Sequence, residues 1–458
     1  MVKVTPRSLM GWGRTAPTLA RVTSVSSVAS VRGILRDPPA RGVIARGLGR
    51  AYGDAAQNAG GTVLDMTSLG RVHDLDLRNG RMTVDAGASL GDLIAVLVPL
   101  GWFLPVVPGT RHVTVGGAIA SDIHGKNHHL EGSFCDHVES FELVTPKGDQ
   151  VTVTPETPAG IFAATAGGMG LTGVIASATL RLLAIETPHM MVDTERAGDL
   201  EQVMARMTSG DADHRYSVAW IDCLARGRQL GRSVLIRGDH AAARDVPDLR
   251  PRPAAPLTPV ARLAAPRWMP NGLLRHSTVA AFNEAYFRHS PARELGRLRP
   301  LHGFFFPLDA VRDWNRMYGR RGFLQYQMVL PFGAEASLRM ILERLSGAGA
   351  AACLAVLKRL GPGRGLLSFP TSGWTLALDL PATGDLVGLL DDLDLLVANA
   401  GGRVYLSKDS RLRPELLSSM YPDLESWESV RQGLDPNRVM RSDLSRRLGL
   451  GTTAATQS

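Results

Sequence analysis

The stretch ARGLGRAYGDAAQN (45–58) narrows the possible folds of this chain more than any other feature. Gly47, Gly49 and Gly53 follow a short apolar strand, Val43 to Arg46, as they would in a phosphate-binding turn. Their spacing is G-x-G-x-x-x-G, one residue off the dinucleotide fingerprint, and the next strand is expected to begin near Thr62. No crossover helix fits between the two strands, so the doubly wound dinucleotide-binding unit is excluded. The backbone amides of a glycine turn can still cradle a phosphate, and Arg46 and Arg50 would add charge.

A second loop, PGTRHVTVGGAIASDIHGKNHH (108–129), carries Gly109, Gly116, Gly117 and Gly125, the hydroxyls of Thr110 and Thr114, and the polar run His124, Lys126, Asn127, His128 and His129. A third, AGGMGLTGV (166–174), continues the pattern. Glycines most often only make turns. Three such loops in one region, two of them bearing polar groups, point instead to a pyrophosphate-containing cofactor wrapped by loops. The histidines have no cysteine or acidic partners to complete a shell, so no metal site is expected.

Around these loops the expected elements are short and mixed. Leu90 to Leu100 has helical spacing with Ser89 as its cap. Val138 to Val144 and Gln150 to Val153 form a hairpin about the Pro146–Asp149 turn, and Gly173 to Leu182 is a further strand. Strands and helices follow no regular alternation, which predicts an α+β domain. Beyond about residue 186, Arg215 to Cys223, Ser233 to Gly238 and Trp374 to Leu380 alternate like half-buried strands, and Glu335 to Ser346 and Thr383 to Ala400 read as helices. Arg244 to His276 holds seven prolines and six arginines, which predicts a long mobile loop suited to lipid headgroups or a long apolar substrate. The tail 451–458 is expected to be disordered.

Hydrophobic content of 44% and charged content of 21% fit a globular chain and exclude bulk disorder. The start lacks the unbroken apolar core of a secretory signal, and the most apolar stretch, Leu93 to Val107, is too short for a membrane span and holds two prolines. Three scattered cysteines suggest packed thiols rather than a disulfide framework. The net charge of +8 permits nucleic-acid binding, but the arginines are dispersed and no recognition motif is present, so none is expected. Of 51 basic side chains only five are lysines: Lys3, Lys126, Lys147, Lys358 and Lys408. Arginine replaces lysine wherever a positive surface suffices, so the positions of these five are informative.

ARGLGRAYGD, PGTRHVTVGGAIASDIHGKNHH, GFLQYQ and VYLSKDSR together resemble the flavin oxidase subunits of decaprenylphosphoryl-β-D-ribose 2′-epimerases, within the vanillyl-alcohol-oxidase-like flavoprotein superfamily. The likeness runs over about residues 6 to 450. It implies a two-domain α+β flavoprotein. A PCMH-type FAD-binding domain (1–186) would be completed by a C-terminal return (404–450), and a substrate domain with an antiparallel sheet (187–403) would lie between them. It implies FAD contacts at Arg46, Gly47, Gly49, Arg50, Tyr52, Gly53, Pro108, Gly109, Thr110, Thr114, Gly117, Ile123, His124, Gly125, Asn127, Gly170, Ile175 and Tyr405. Many superfamily members carry a histidine at the position of Arg50 and bond it covalently to the flavin. Arginine cannot form that link, so dissociable FAD is expected.

The resemblance also implies oxidation of the ribose C2′ hydroxyl of a polyprenylphosphoryl ribose to a ketone. A separate NADH-dependent short-chain keto-reductase would complete the epimerisation, and the enzyme would work as a peripheral protein at a membrane surface. Lys408 matches the family's active-site lysine, and Tyr52, His124 and Gln327 join it as catalytic candidates. Lys126, Trp220, Phe305, Gln325, Lys358, Thr375 and Ala377 match substrate-pocket positions. Gln325 and Gln327, two apart on a strand, face one side. Lys126 and Lys358 suit the substrate phosphate. Mycobacterial members carry cysteine, asparagine and tyrosine where this chain has Ala377, Thr375 and Phe305, so nitroaromatic inhibitors that trap that cysteine are expected not to attach here. The alternative is a soluble alditol or aldonolactone oxidase of the same superfamily.

Overall fold

The computed structural model describes residues 4–246, 263–384 and 386–450. Residues 247–262, about half of the expected mobile loop, and the expected disordered tail (451–458) lie outside the described residues.

Two small sheets carry the glycine loops. The first runs in the order Val4–Leu9, Thr18–Ser24, Thr62–Asp65, Val43–Arg46. Its last two strands pair in parallel. A parallel neighbour needs a connection of about a dozen residues or more, usually helical; here the glycine loop 47–61 makes it as irregular backbone. The second sheet runs Val72–Asp76, Arg81–Asp85, Val174–Arg181, Val138–Val144, Gln150–Val153. On it sits the helix Leu90–Leu97, opened by Ser89, whose hydroxyl accepts from the Gly91 amide at 3.2 Å. The helix buries Leu90, Leu93, Ile94 and Leu97, the i, i+3, i+4, i+7 stripe that its sequence predicts.

The chain between these sheets and its C-terminal part builds one eight-stranded antiparallel sheet. The order is Arg293–Pro300, His189–Ala197, Ser233–His240, Tyr216–Ile221, Ala355–Leu360, Gly373–Pro381, Phe323–Pro331, Arg403–Val404. Helices Leu200–Gly210, Glu335–Gly347 and Leu386–Asn399 bury their leucines against one face, meeting Leu357, Leu376 and Leu378. The expectation of half-buried strands is corrected at Tyr216–Ile221, every residue of which is buried. Ala219 and Ile221 face the helices, while Tyr216 on the opposite side packs edge-on against Phe304 and Phe305.

The last 50 or so residues return to the first sheet. Val43 donates its amide to Val439 O at 2.8 Å and accepts from Arg441 N at 2.9 Å. The Arg447 guanidinium holds both Asp54, in the first glycine loop, and Asp409, each at 2.9 Å. Among the described residues no helix is long and apolar enough to cross a membrane.

Candidate active site

One cavity of about 740 Å³ lies where the glycine loops meet the free face of the large sheet. That size suits a cofactor with its substrate, since ligand pockets run roughly 300–1,000 Å³. Arg46, Gly47, Gly49, Arg50 and Tyr52 of the first loop line it. So do Pro108, Gly109, Thr110, Thr114, Gly117, Ile123, His124 and Gly125 of the second, Gly170 and Ile175 at the third, and Tyr405 from the C-terminal return.

The loops are packed on one another as well as around the cavity. A Cβ on Gly47 would fall 2.1 Å from the Thr114 hydroxyl, so only glycine lets the first two loops touch. Gly53 and Asn127, both expected at the cofactor, stand behind the wall. A Cβ on Gly53 would lie 1.8 Å from Asp409 O, where the first loop closes on the YLSKDS segment; Asn127 donates to Pro105 O at 2.8 Å and braces the second loop. Tyr52 N donates to Ser407 O at 3.0 Å, tying the two segments that carry Tyr52 and Lys408.

The polar floor comes from the sheet register. Gln325 pairs with Asp379, Gln327 with Ala377, and Lys358 with Thr375 across neighbouring strands. Alternation sends their side chains to the face opposite Leu376 and Leu378. Gln327 Nε2 lies 2.8 Å from His124 Nε2 and 3.2 Å from the Thr375 hydroxyl, which itself donates to Met328 O. The hydroxyl therefore accepts from Gln327, which orients the amide so that His124 Nε2 is an acceptor. His124 Nδ1 faces Lys358 Nζ at 3.1 Å and Gly125 O at 3.3 Å. The tautomer of His124 is thereby tied to the charge of Lys358. Gln325 donates to Asp379, and the Lys408 ammonium lies 3.9 Å above the Tyr52 ring. Lys126 donates to Phe304 O and stands 4.3 Å from the Phe304 ring centroid.

Lys126, Lys358 and Lys408 are half-buried side chains whose remaining surface faces the cavity. Burial lowers all three from the ordinary lysine range. Lys126 and Lys358 fall to about 7, the latter also through the repulsion of the other two. Lys408 falls only to about 8, because the attraction of Asp379 opposes its desolvation. Burial, then the charge of Lys358, keeps His124 neutral. The wall of this low-dielectric space carries Lys126, Lys358 and Lys408 together with Arg46, Arg50, Arg111 and Arg312 against the carboxylates of Asp309 and Asp313, an excess of positive charge that makes the space a receptor for an anion.

Phe305 and Ala377 line the cavity. Thr375 does not: it is fully buried and acts through Gln327. Trp220, expected at the substrate, is likewise off the wall. Its ring packs on Tyr286 of the helix His276–His289 at 4.7 Å and its indole donates to Cys353 O at 3.3 Å. Two participants escaped the sequence reading. Asp379 shares a strand face with Thr375 and Ala377, and an acid inside the apolar strand GWTLALDLP was its visible signal. Asp309 accepts from the Thr110 hydroxyl at 2.7 Å and the Arg111 amide at 2.9 Å, fixing the second loop from the short 3-10 helix Pro307–Ala310, which carries no motif. Among the described residues no group of three His, Cys, Asp or Glu side chains could hold a metal ion.

Residues 19–154 match the FAD binding domain family, and residues 389–448 match the D-arabinono-1,4-lactone oxidase family. A decaprenylphosphoryl-β-D-ribose oxidase of Mycolicibacterium smegmatis is 42% identical over 452 residues, covering 97% of this chain and 98% of that protein. The chain belongs to the decaprenylphosphoryl-β-D-ribose oxidase family. An uncharacterized protein of Streptomyces coelicolor, from the mprA 5′ region, is also 42% identical, over 79% of this chain and all of its own length. The chain is thus an FAD-dependent oxidoreductase with the α+β, two-domain fold of vanillyl-alcohol-oxidase-like flavoproteins. The residues present fit FAD: a Cβ placed on Gly109 of the wall would meet nothing within 4 Å, so that backbone is open to close approach, and the Arg46 and Arg50 side chains flank the first loop.

Proposed function

We propose that this oxidase of the decaprenylphosphoryl-β-D-ribose oxidase family converts the C2′ hydroxyl of a polyprenylphosphoryl-β-D-ribose to the ketone. The observation that carries the reading is the convergence of Lys126, Lys358 and Lys408 with His124 and Gln327 in one cavity that continues into the glycine loops. Bound FAD supplies the hydride acceptor. The chain's own residues divide the remaining work. Lys126 and Lys358 hold the phosphate charge. Gln325 and Gln327, presented side by side by their strand, orient sugar hydroxyls. Lys408 meets the reacting hydroxyl and Tyr52 packs beneath it. His124, kept neutral, serves as a hydrogen-bonding wall rather than a charge.

Arg50 stacks on Trp12 at 4.0 Å and donates to Leu48 O, which supports a structural role for the residue at the position where other superfamily members tether flavin. FAD is accordingly dissociable, and acid precipitation should leave all of it in the supernatant; flavin remaining on the protein pellet would refute this. A membrane surface as the source of the lipid substrate is supported by Leu263 and Trp268, exposed at 67% and 76% beside Arg267. Sedimentation with anionic vesicles, reduced by Trp268→Ala, tests it. The ketone requires a following reductase, which the reading assigns to a separate NADH-dependent short-chain enzyme.

The alternative, an oxidase of free alditols or aldonolactones, draws on the match of residues 389–448. A likeness over nearly the whole chain outweighs it. Product analysis decides between them. A borodeuteride-trappable ketone from the ribosyl lipid, with no turnover of alditols or aldonolactones, is expected; the reverse would establish the alternative.

A further inference from the structure

The Asp379 side chain is fully buried behind the cavity wall, beneath Gln325, which lines the cavity and donates to it. One carboxylate oxygen accepts from Gln325; the other, also buried, makes no hydrogen bond among the described residues. A buried carboxylate left half-satisfied is destabilising unless a nearby cation offsets it. The cation placed to act on it is Lys408, which lines the cavity with Gln325 and stands over the Tyr52 ring. It makes no direct ion pair with Asp379, so the two interact through charge across this buried wall. The neighbouring acid Asp409 cannot serve, because its carboxylate accepts from the amides of Arg411 and Leu412 and pairs with Arg447.

We propose that Asp379 is the second half of the proton-accepting site: the proton leaving the substrate hydroxyl passes to the Lys408 amine, and the buried negative charge of Asp379 stabilises the ammonium so formed. The O–H bond breaks and an N–H bond forms at Lys408; bound FAD would supply the acceptor for the carbinol hydride, which balances the oxidation to the ketone. Asp379 is thus a positioning residue acting through Lys408. The inference rests on the reading that Lys408 meets the reacting hydroxyl. Burial raises Asp379 to about 7, against the opposing effects of the Gln325 hydrogen bond and Lys408, so the pair changes charge in the neutral range.

The other groups around the pair are accounted for. Lys408 faces the Tyr52 ring, and its charge also reaches Lys358 and His124, neither of which can stabilise a new cation. Around Asp379 stand Gln325 and the neutral phenol and thiol groups of Tyr52, Tyr318 and Cys353.

Asp379→Asn keeps the Gln325 contact and removes the charge. Lys408 should then lose its proton at lower pH, by about one unit or more, the size of effect a neighbouring opposite charge produces. The acidic limb of the kcat profile moves down by that amount while kcat falls about 10- to 100-fold, part of the roughly 10²–10⁴ supplied by positioned proton transfer. The same shift should appear without substrate, in the pH at which Lys408 reacts with an amine-directed acylating reagent, read by peptide mass spectrometry on the holoenzyme. Gln325→Leu, which frees the first oxygen and raises the Asp379 value, should move the limb in the same direction by less. An unmoved limb and an unmoved labelling curve in Asp379→Asn would overturn the proposal, whatever happens to kcat. The labelling curve is independent of the substrate, so it can fail or hold separately from the functional reading, which turnover of the ribosyl lipid by the wild-type protein tests.

Discussion

Binding of the substrate phosphate should titrate with the lysines that receive it. A ribosyl phosphodiester keeps a single negative charge through the neutral range, so any pH dependence of its affinity comes from the protein. Lys126 and Lys358 sit at about 7 in the free protein. An anion beside them favours the charged form, raises their values and makes binding take up protons. Between pH ~6 and ~8 the charged fraction of each falls about ten-fold, equivalent to about 1.4 kcal/mol. The dissociation constant should therefore rise about ten-fold if one lysine contacts the phosphate and about a hundred-fold if both do. Titration calorimetry of a non-oxidisable 2′-deoxy analogue, in buffers of different ionisation enthalpy, reads both affinity and proton uptake. Lys126→Met or Lys358→Met should remove one lysine's share of the slope. An affinity flat from pH 6 to 8 with no proton uptake would refute the assignment. Chemistry should show the opposite limb, improving as Lys408 loses its proton near 8, so kcat/KM should be bell-shaped and narrow.

Other consequences follow from the same contacts. Folding depresses Lys126 from its unfolded value, so its cost is full below about 7 and fades as pH rises toward 10.5. Lys126→Met should accordingly stabilise the substrate-free protein by about 1–2 kcal/mol at pH 6 and by less at pH 9, in urea titrations, while weakening substrate binding. Arg447→Met strips the buried Asp409 and Asp54 of their cation; thermal melts should show a loss of about 2–4 kcal/mol. Ala377 stands on the cavity wall opposite Gln327. The wild-type chain should gain no mass after turnover with a nitroaromatic thiol-trapping inhibitor, and Ala377→Cys should gain one adduct; an adduct on the wild type would contradict this.

The loops that line the cavity were legible because glycine there answers a local geometric need. Gly47 must pass Thr114 and Gly53 must pass Asp409, and spacing alone excluded a crossover helix between Arg46 and Thr62. The hairpin from Val138 to Val153 and the helix after Ser89 were legible for the same local reasons. The scarcity of lysine marked three positions that share the cavity although 282 residues of sequence separate the first from the last. What escaped depends on partners distant in the chain. Asp379 acquires its meaning from the register that sets it opposite Gln325 and from Lys408 on another segment. Trp220 carries an aromatic signal in a strand that does reach the cavity through Val218, yet the helix His276–His289 covers the indole. Thr375 faces the correct side but lies beneath Gln327.

The central claim is that this cavity oxidises a ribosyl lipid phosphate, and anaerobic reduction of the bound flavin tests it most directly. Stoichiometric polyprenylphosphoryl-β-D-ribose should bleach the oxidised flavin absorbance of the wild-type protein completely. It should leave Lys408→Ala oxidised, and free ribose, alditols and aldonolactones should have no effect. Bleaching by the free sugars with none by the ribosyl lipid would contradict the account.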